Sequence, residues 1–323
     1  MQFELKLVAL WLNTGETMKS GNQTQSEKQR LLFAKECRGS GEGGGYIPGR
    51  SLRDMGGLGR IHRFACTRCG GRQIVLPSDM ALSVFLEEHW DPATYELKEH
   101  YPLLDVDETL RLAGELGLKH PMFSDGSPKM LITDLVVSKQ IAGTDEKHAI
   151  DIVSSRRPNQ ARILASRAIK QEYWRRLGIP YRVAASDGLN GERAKHLWDL
   201  FNIGEQVLTR GITGDERDAQ LAILKRFKQG KDQTLLELCH TTARAREIAR
   251  SDCVAALRRL IATHLIECSL DVTVLLEQPL RGARICLPER VADNSSRRGR
   301  RSERGRAAAK ILNRWRKIFC QDL

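Results

Sequence analysis

Two aspartates occupy unusual places in the stretch LITDLVVSKQIAGTDEKHAIDIVSS, Leu131 to Ser155. The stretch reads as two short strands around a polar turn. Asp134 lies among the apolar residues of the first and Asp151 among those of the second. Acids are poor strand formers, and a carboxylate facing a core is costly unless it is paired or holds a metal. The second strand continues Ile152-Val153, with no lysine beside its acid.

A second group with possible metal chemistry is Cys66 and Cys69 in HRFACTRCGGRQIVL. Two thiolates at CxxC spacing can share one metal, but a tetrahedral site needs two more ligands. No second CxxC or HxxxH accompanies them. The pair is therefore expected to frame a hairpin turn at Arg68-Cys69-Gly70-Gly71 between two strands. The eight cysteines are otherwise scattered, as expected for reduced thiols in a cytoplasm.

These groups need elements to hold them. At 323 residues with 41% hydrophobic content, the chain can bury packed cores in two modest domains plus tails. No apolar run approaches the roughly 20 residues that span a bilayer. The first residues lack a basic leader and a small-residue cleavage site, so no signal peptide is expected. The net charge of +12 favours an acidic partner such as nucleic acid. Ten Arg or Lys against Glu303 between Arg297 and Lys317 supply +9 of that charge.

Residues 1–25 are expected to be an N-terminal extension, with translation starting at Met18 and a helix beginning after Thr24-Gln25-Ser26. CRGSGEGGGYIPGR is a glycine-rich loop. The hairpin comes next, and then PSDMALSVFLEEHW, a helix capped by Ser78 or Asp79. TYELKEHYPLL forms a strand and ETLRLAGELGLKHP a short helix ending at Gly117. After the acidic strands, NQARILASRAIKQEYWRRLG forms a helix closed by Gly178 before the strand YRVAA. The order makes residues 26–188 an α+β or mixed α/β domain. In 189–290 three helices precede the strand-like LIECSLDVTV and ARICLP, the pattern of a winged helix. In 291–323 a polar basic segment leads into AAAKILNRWRKIF, a short basic amphipathic helix.

From about Ser26 to Leu287 the chain resembles the TnsA family, the endonuclease subunits of heteromeric cut-and-paste transposons. The resemblance is carried by RGSGEGGGYIP, HRF, SDMALSVFLEEHW, HYPLL, GLKHP, ITD, HAIDI and EYWRRLGIPY, in that order and spacing. It implies a restriction-endonuclease-like PD-(D/E)XK domain followed by a winged-helix-like domain. It also implies three partners: DNA at transposon ends, a DDE transposase (TnsB) and an ATPase (TnsC).

Such a site needs Mg or Mn held by carboxylates, and a lysine that polarises water or phosphate. Carried over by position, the family's strand aspartate falls on Asp134 and its acid-or-amide on Asp151. The lysine position falls on Val153, and the helical glutamate position on Ala81. SDMALSVFL and HAIDI fix this register, and a one-residue slip would turn Asp151 to the other sheet face. Glu88 lies about 10 Å along the helix from Ala81, Glu87 points elsewhere, and Lys147 lies about 20 Å from Val153. Lys170, on the following helix, could lean over the sheet edge as a migrated lysine, against the simpler expectation of a solvated helix lysine.

The resemblance therefore implies a transposition protein with a degraded nuclease site that bridges DNA and protein partners. The alternative is an active endonuclease working through a rearranged site around Asp134 and Asp151. DNA contacts are expected from Arg156 and Arg157 and from Arg297, Arg298, Arg300, Arg301, Arg304 and Arg306. Trp315 and Ile318 are expected to anchor the last helix on a protein partner.

Overall fold

The computed structural model describes residues 23–55, 60–153, 160–185, 191–228 and 232–286. Met18, Arg156, Arg157, the six tail arginines, Trp315 and Ile318 lie outside the described residues.

Helix α1 (Gln25–Lys35) starts with a capping box. Glu27 N–H donates to Thr24 Oγ1 at 3.2 Å, and Thr24 N–H donates to Glu27 Oε2 at 2.8 Å. The glycine-rich stretch is a loop with one 3-10 turn at Gly43–Gly45. Next in the chain is the hairpin of β1 (His62–Cys66) and β2 (Arg72–Leu76), joined by the Thr67–Cys69 turn. Helix α2 (Asp79–Trp90) is capped by Ser78, whose hydroxyl accepts the Ala81 N–H at 3.1 Å.

The central sheet has four strands: β3 (Thr94–Pro102), β4 (Ile132–Ile141), β5 (Thr144–Val153) and β6 (Tyr181–Ala185), in that spatial order. The first three are antiparallel, and β6 runs parallel to β5. A parallel neighbour requires a crossover, which α4 (Ala161–Arg176) supplies. The acidic strands are ten residues each, longer than their apolar cores suggest, because Ala142 and Gly143 turn tightly with φ of 49° and 85°.

Alternation along β4 and β5 separates the two faces. Val136 and Ala149 pack with Ile169 and Trp174 of α4 and with Leu112 of α3 (Val106–Glu115). Leu135, Val137 and Ile150 pack on the other face with Phe85 of α2.

The latter core continues into the C-terminal helices α5 (Gly191–Arg210), α6 (Gly214–Phe227), α7 (Leu235–Arg246) and α8 (Arg250–Ala262). Phe64 of the hairpin meets Phe85, Trp198 and Phe201 edge-on at 5.2 to 5.4 Å between ring centroids. The expected ribbon is much shorter than LIECSLDVTV suggests. It consists of β7 (Ile266–Glu267) against β8 (Arg284–Ile285). Beyond it the chain bends, because Leu270, Leu275, Leu276 and Leu280 turn into the core and Gln278 bonds the Ser269 and Leu275 carbonyls.

Candidate active site

Asp134 and Asp151 meet where β4 and β5 begin to part. Their positions continue the register Leu135↔Ile150 by one step. The Ile152 N–H donates to Asp134 Oδ2 at 2.8 Å, and the Asp134 N–H donates to Asp151 Oδ1 at 3.4 Å. Side-chain oxygens thus replace the backbone ladder at this point and hold the two carboxylates together. Asp134 is partly exposed, whereas Asp151 is only 3% exposed.

The group that neutralises so deeply buried a carboxylate is Lys170. Its ammonium forms a very short ion pair with Asp151 Oδ2 and donates to the Ile132 carbonyl at 3.1 Å. The expectation of a solvated helix lysine is therefore corrected: Lys170 is 7% exposed and points under the sheet. The signal was present in the helical pattern, since Lys170 falls on the buried stripe containing Ala165, Ile169 and Trp174. Tyr181 of β6 adds a second donor to Asp151 Oδ2, at 2.9 Å. Sequence reasoning misses its role, because a tyrosine opening a strand is ordinarily packing material.

These contacts set the electrostatics of the site. Burial pushes the Asp151 carboxyl above the usual carboxylate range, Lys170 pulls it down, and Asp134 pushes it further up; the net direction is up. Burial and the neighbouring Asp151 raise the Tyr181 phenol, so it stays a proton donor.

The other expected positions are apolar and packed. Ala81 is 3% exposed and Val153 8%. Among the described residues, the acids of the same helix are engaged elsewhere: Glu88 pairs with Lys139 at 2.9 Å and with Arg182, while Glu87 pairs with Arg193 at 2.6 Å. Lys147 lies far along β5, opposite Ser138.

The donor set suits a hard divalent cation. Among the described residues, Asp134 Oδ1 has no hydrogen-bond partner, and Asp151 Oδ1 has only the long 3.4 Å contact. One oxygen of each carboxylate is therefore available, with a fixed ammonium alongside.

Comparison with known proteins bears on what such a site does. The chain is 27% identical over 251 residues to "Transposon Tn7 transposition protein TnsA" of Escherichia coli, covering 77% of this chain and 89% of that protein. The chain is thus similar to a TnsA protein over most of both lengths. No family model matches it. No helix among the described residues is long and apolar enough to cross a membrane.

Proposed function

We propose that this TnsA-family protein is a transposition endonuclease subunit that cuts DNA at transposon ends through a rearranged site of Asp134, Asp151 and Lys170. The observation that carries the reading is the buried Lys170 ammonium, held jointly by Asp151 and the Ile132 carbonyl. A lysine delivered from α4 fills the role for which Val153 is unsuited. The three antiparallel strands, the α4 crossover and parallel β6 support a PD-(D/E)XK reading of the sheet. The helices α6 to α8 with the short β7–β8 ribbon support a reduced winged-helix module.

Asp134 and Asp151 would hold Mg or Mn, which supplies Lewis-acid polarisation of phosphate and water. The protein's own groups do the rest. Lys170 places a positive charge beside the carboxylates, where it stabilises charge developing on a phosphate. Tyr181 holds Asp151 in one orientation through its hydroxyl hydrogen bond. The expected partners are DNA at transposon ends, a TnsB-like transposase and a TnsC-like ATPase.

A second reading, a non-cutting adaptor bridging the same partners, is favoured by the packed Ala81 and Val153. A nicking assay on a plasmid carrying the element's ends, with Mg or Mn, separates the two. The rearranged site predicts nicking that Asp134→Asn and Lys170→Gln each reduce by at least about a hundredfold. No wild-type nicking with either metal, with activity created by Ala81→Glu plus Val153→Lys, would establish the adaptor instead. Transposition would then give cointegrates rather than simple insertions.

A further inference from the structure

On the opposite side of the sheet the fold brings together residues that are far apart in the sequence. Cys66 closes β1, His89 lies in the last turn of α2, and Glu205 lies in the middle of α5. One ligand atom from each falls within 4.8 Å of the others. Cys69 follows in the same turn, and its thiol donates to the Leu97 carbonyl at 3.5 Å. The two cysteines are fully buried and form no disulfide.

We propose that Cys66, His89 and Glu205 bind one zinc ion in a closed structural site whose fourth ligand is Cys69, turned in from its hydrogen bond to the Leu97 carbonyl. The ligands that the sequence lacks beside the CxxC are thus supplied by two helices. Two thiolates, one imidazole and one carboxylate suit zinc and disfavour magnesium or calcium.

Unpaired polar atoms point to a ligand. His89 Nε2 and Glu205 Oε1 are buried and have no hydrogen-bond partner among the described residues. Orphaned buried acceptors of this kind are costly, and two converging on a thiol pair is unusual. Glu205 is already oriented as a ligand. Its Oε2 accepts the Thr67 N–H at 2.9 Å and the Thr67 hydroxyl at 2.5 Å, leaving Oε1 to ligate.

The turn has the form that such a site requires. Gly70 N–H donates to the Thr67 carbonyl at 3.0 Å, and Gly71 N–H to the Cys66 carbonyl at 2.9 Å. Gly70 takes φ of 74°, and a Cβ there would lie 2.1 Å from the Gly44 nitrogen. The turn is therefore held rigid.

Charge also balances. Arg68 is half-buried beside the cluster, donating to the His89 carbonyl at 2.6 Å and the Asp91 carbonyl at 3.0 Å. Two thiolates and a carboxylate offset the zinc and this guanidinium, so the closed site is neutral overall. Zinc takes cysteine as the thiolate, so binding releases thiol protons.

The test uses the full chain, purified without chelator and analysed for metal. The proposal expects about one zinc per chain, and cobalt substitution giving the intense thiolate-to-metal absorption of a tetrahedral site. Cys69→Ser and Glu205→Gln should each weaken zinc affinity at least about tenfold, while Asp134→Asn should not. Chelation of the wild type should lower its melting temperature, with recovery on adding zinc. A folded wild type that holds no zinc and shows no cobalt–thiolate absorption overturns the proposal. So does zinc binding that survives Cys69→Ser but is lost with Asp134→Asn.

Discussion

Asp151 is a buried acid served by two donors of different kinds. Lys170 brings a charge, while Tyr181 brings only a hydrogen bond. If metal binding requires Asp151 ionised, nicking falls as pH drops through its raised pKa. The acid limb of the pH–rate profile therefore sits above the usual carboxylate range. The Tyr181 hydrogen bond lowers the Asp151 pKa, so Tyr181→Phe should raise it and move the acid limb to higher pH. Nicking rates measured across pH check this, and an unmoved limb would show that Asp151 is not the titrating group. The two aspartates were legible in the sequence because acids inside apolar strands are anomalous wherever they occur. Lys170 was only half legible, since a helix lysine belongs in solvent by default and only the packing of α4 under β5 turns it inward. Tyr181, His89 and Glu205 gave no local signal, because their roles depend on which elements become neighbours.

Among the elements, the β1–β2 hairpin is tied to the sheet by a buried ion pair as well as by its apolar residues. Arg72 of β2 grips Glu99 of β3 through both terminal nitrogens, at 2.6 and 2.5 Å, and donates to the Leu97 carbonyl at 2.7 Å. The Tyr46 ring lies over the guanidinium at 5.0 Å. Glu99 is completely buried, so removing its charge leaves Arg72 uncompensated. Glu99→Gln should destabilise the protein by about 3–5 kcal/mol in denaturant unfolding. A loss below about 1 kcal/mol would mean that water reaches the pair. The elements themselves were mostly visible beforehand, since caps and periodicity place α1, α2, α4 and the hairpin near their observed limits. The C-terminal ribbon was not, because the apolar residues of LDVTVLL fit a strand as well as they fit a folded-in loop.

For the molecule as a whole, charge is unevenly distributed. The span Arg297 to Lys317 supplies nine of the twelve net positive charges. If Arg297, Arg298, Arg300, Arg301, Arg304 and Arg306 each neutralise a duplex phosphate, truncation after Asp293 should reduce the slope of log affinity against log salt by about 5. Binding isotherms at several salt concentrations measure this, and an unchanged slope would make the tail a bystander.

The aromatic cluster of Phe64, Phe85, Trp198 and Phe201 has a further consequence, for modularity. The α/β part through β6 and the helical part from α5 onward look interchangeable on paper, like carriages coupled in a train. Here the coupling is a shared interior, with α5 filling the space between the hairpin and α2. Grafting the C-terminal half of a distant relative onto residues 1–190 would leave Phe64 and Phe85 facing an ill-fitting surface. Such a hybrid should become insoluble or melt far below either parent unless α5 travels with the N-terminal half. A graft that begins after α5 should keep the shared interior and melt close to the parent.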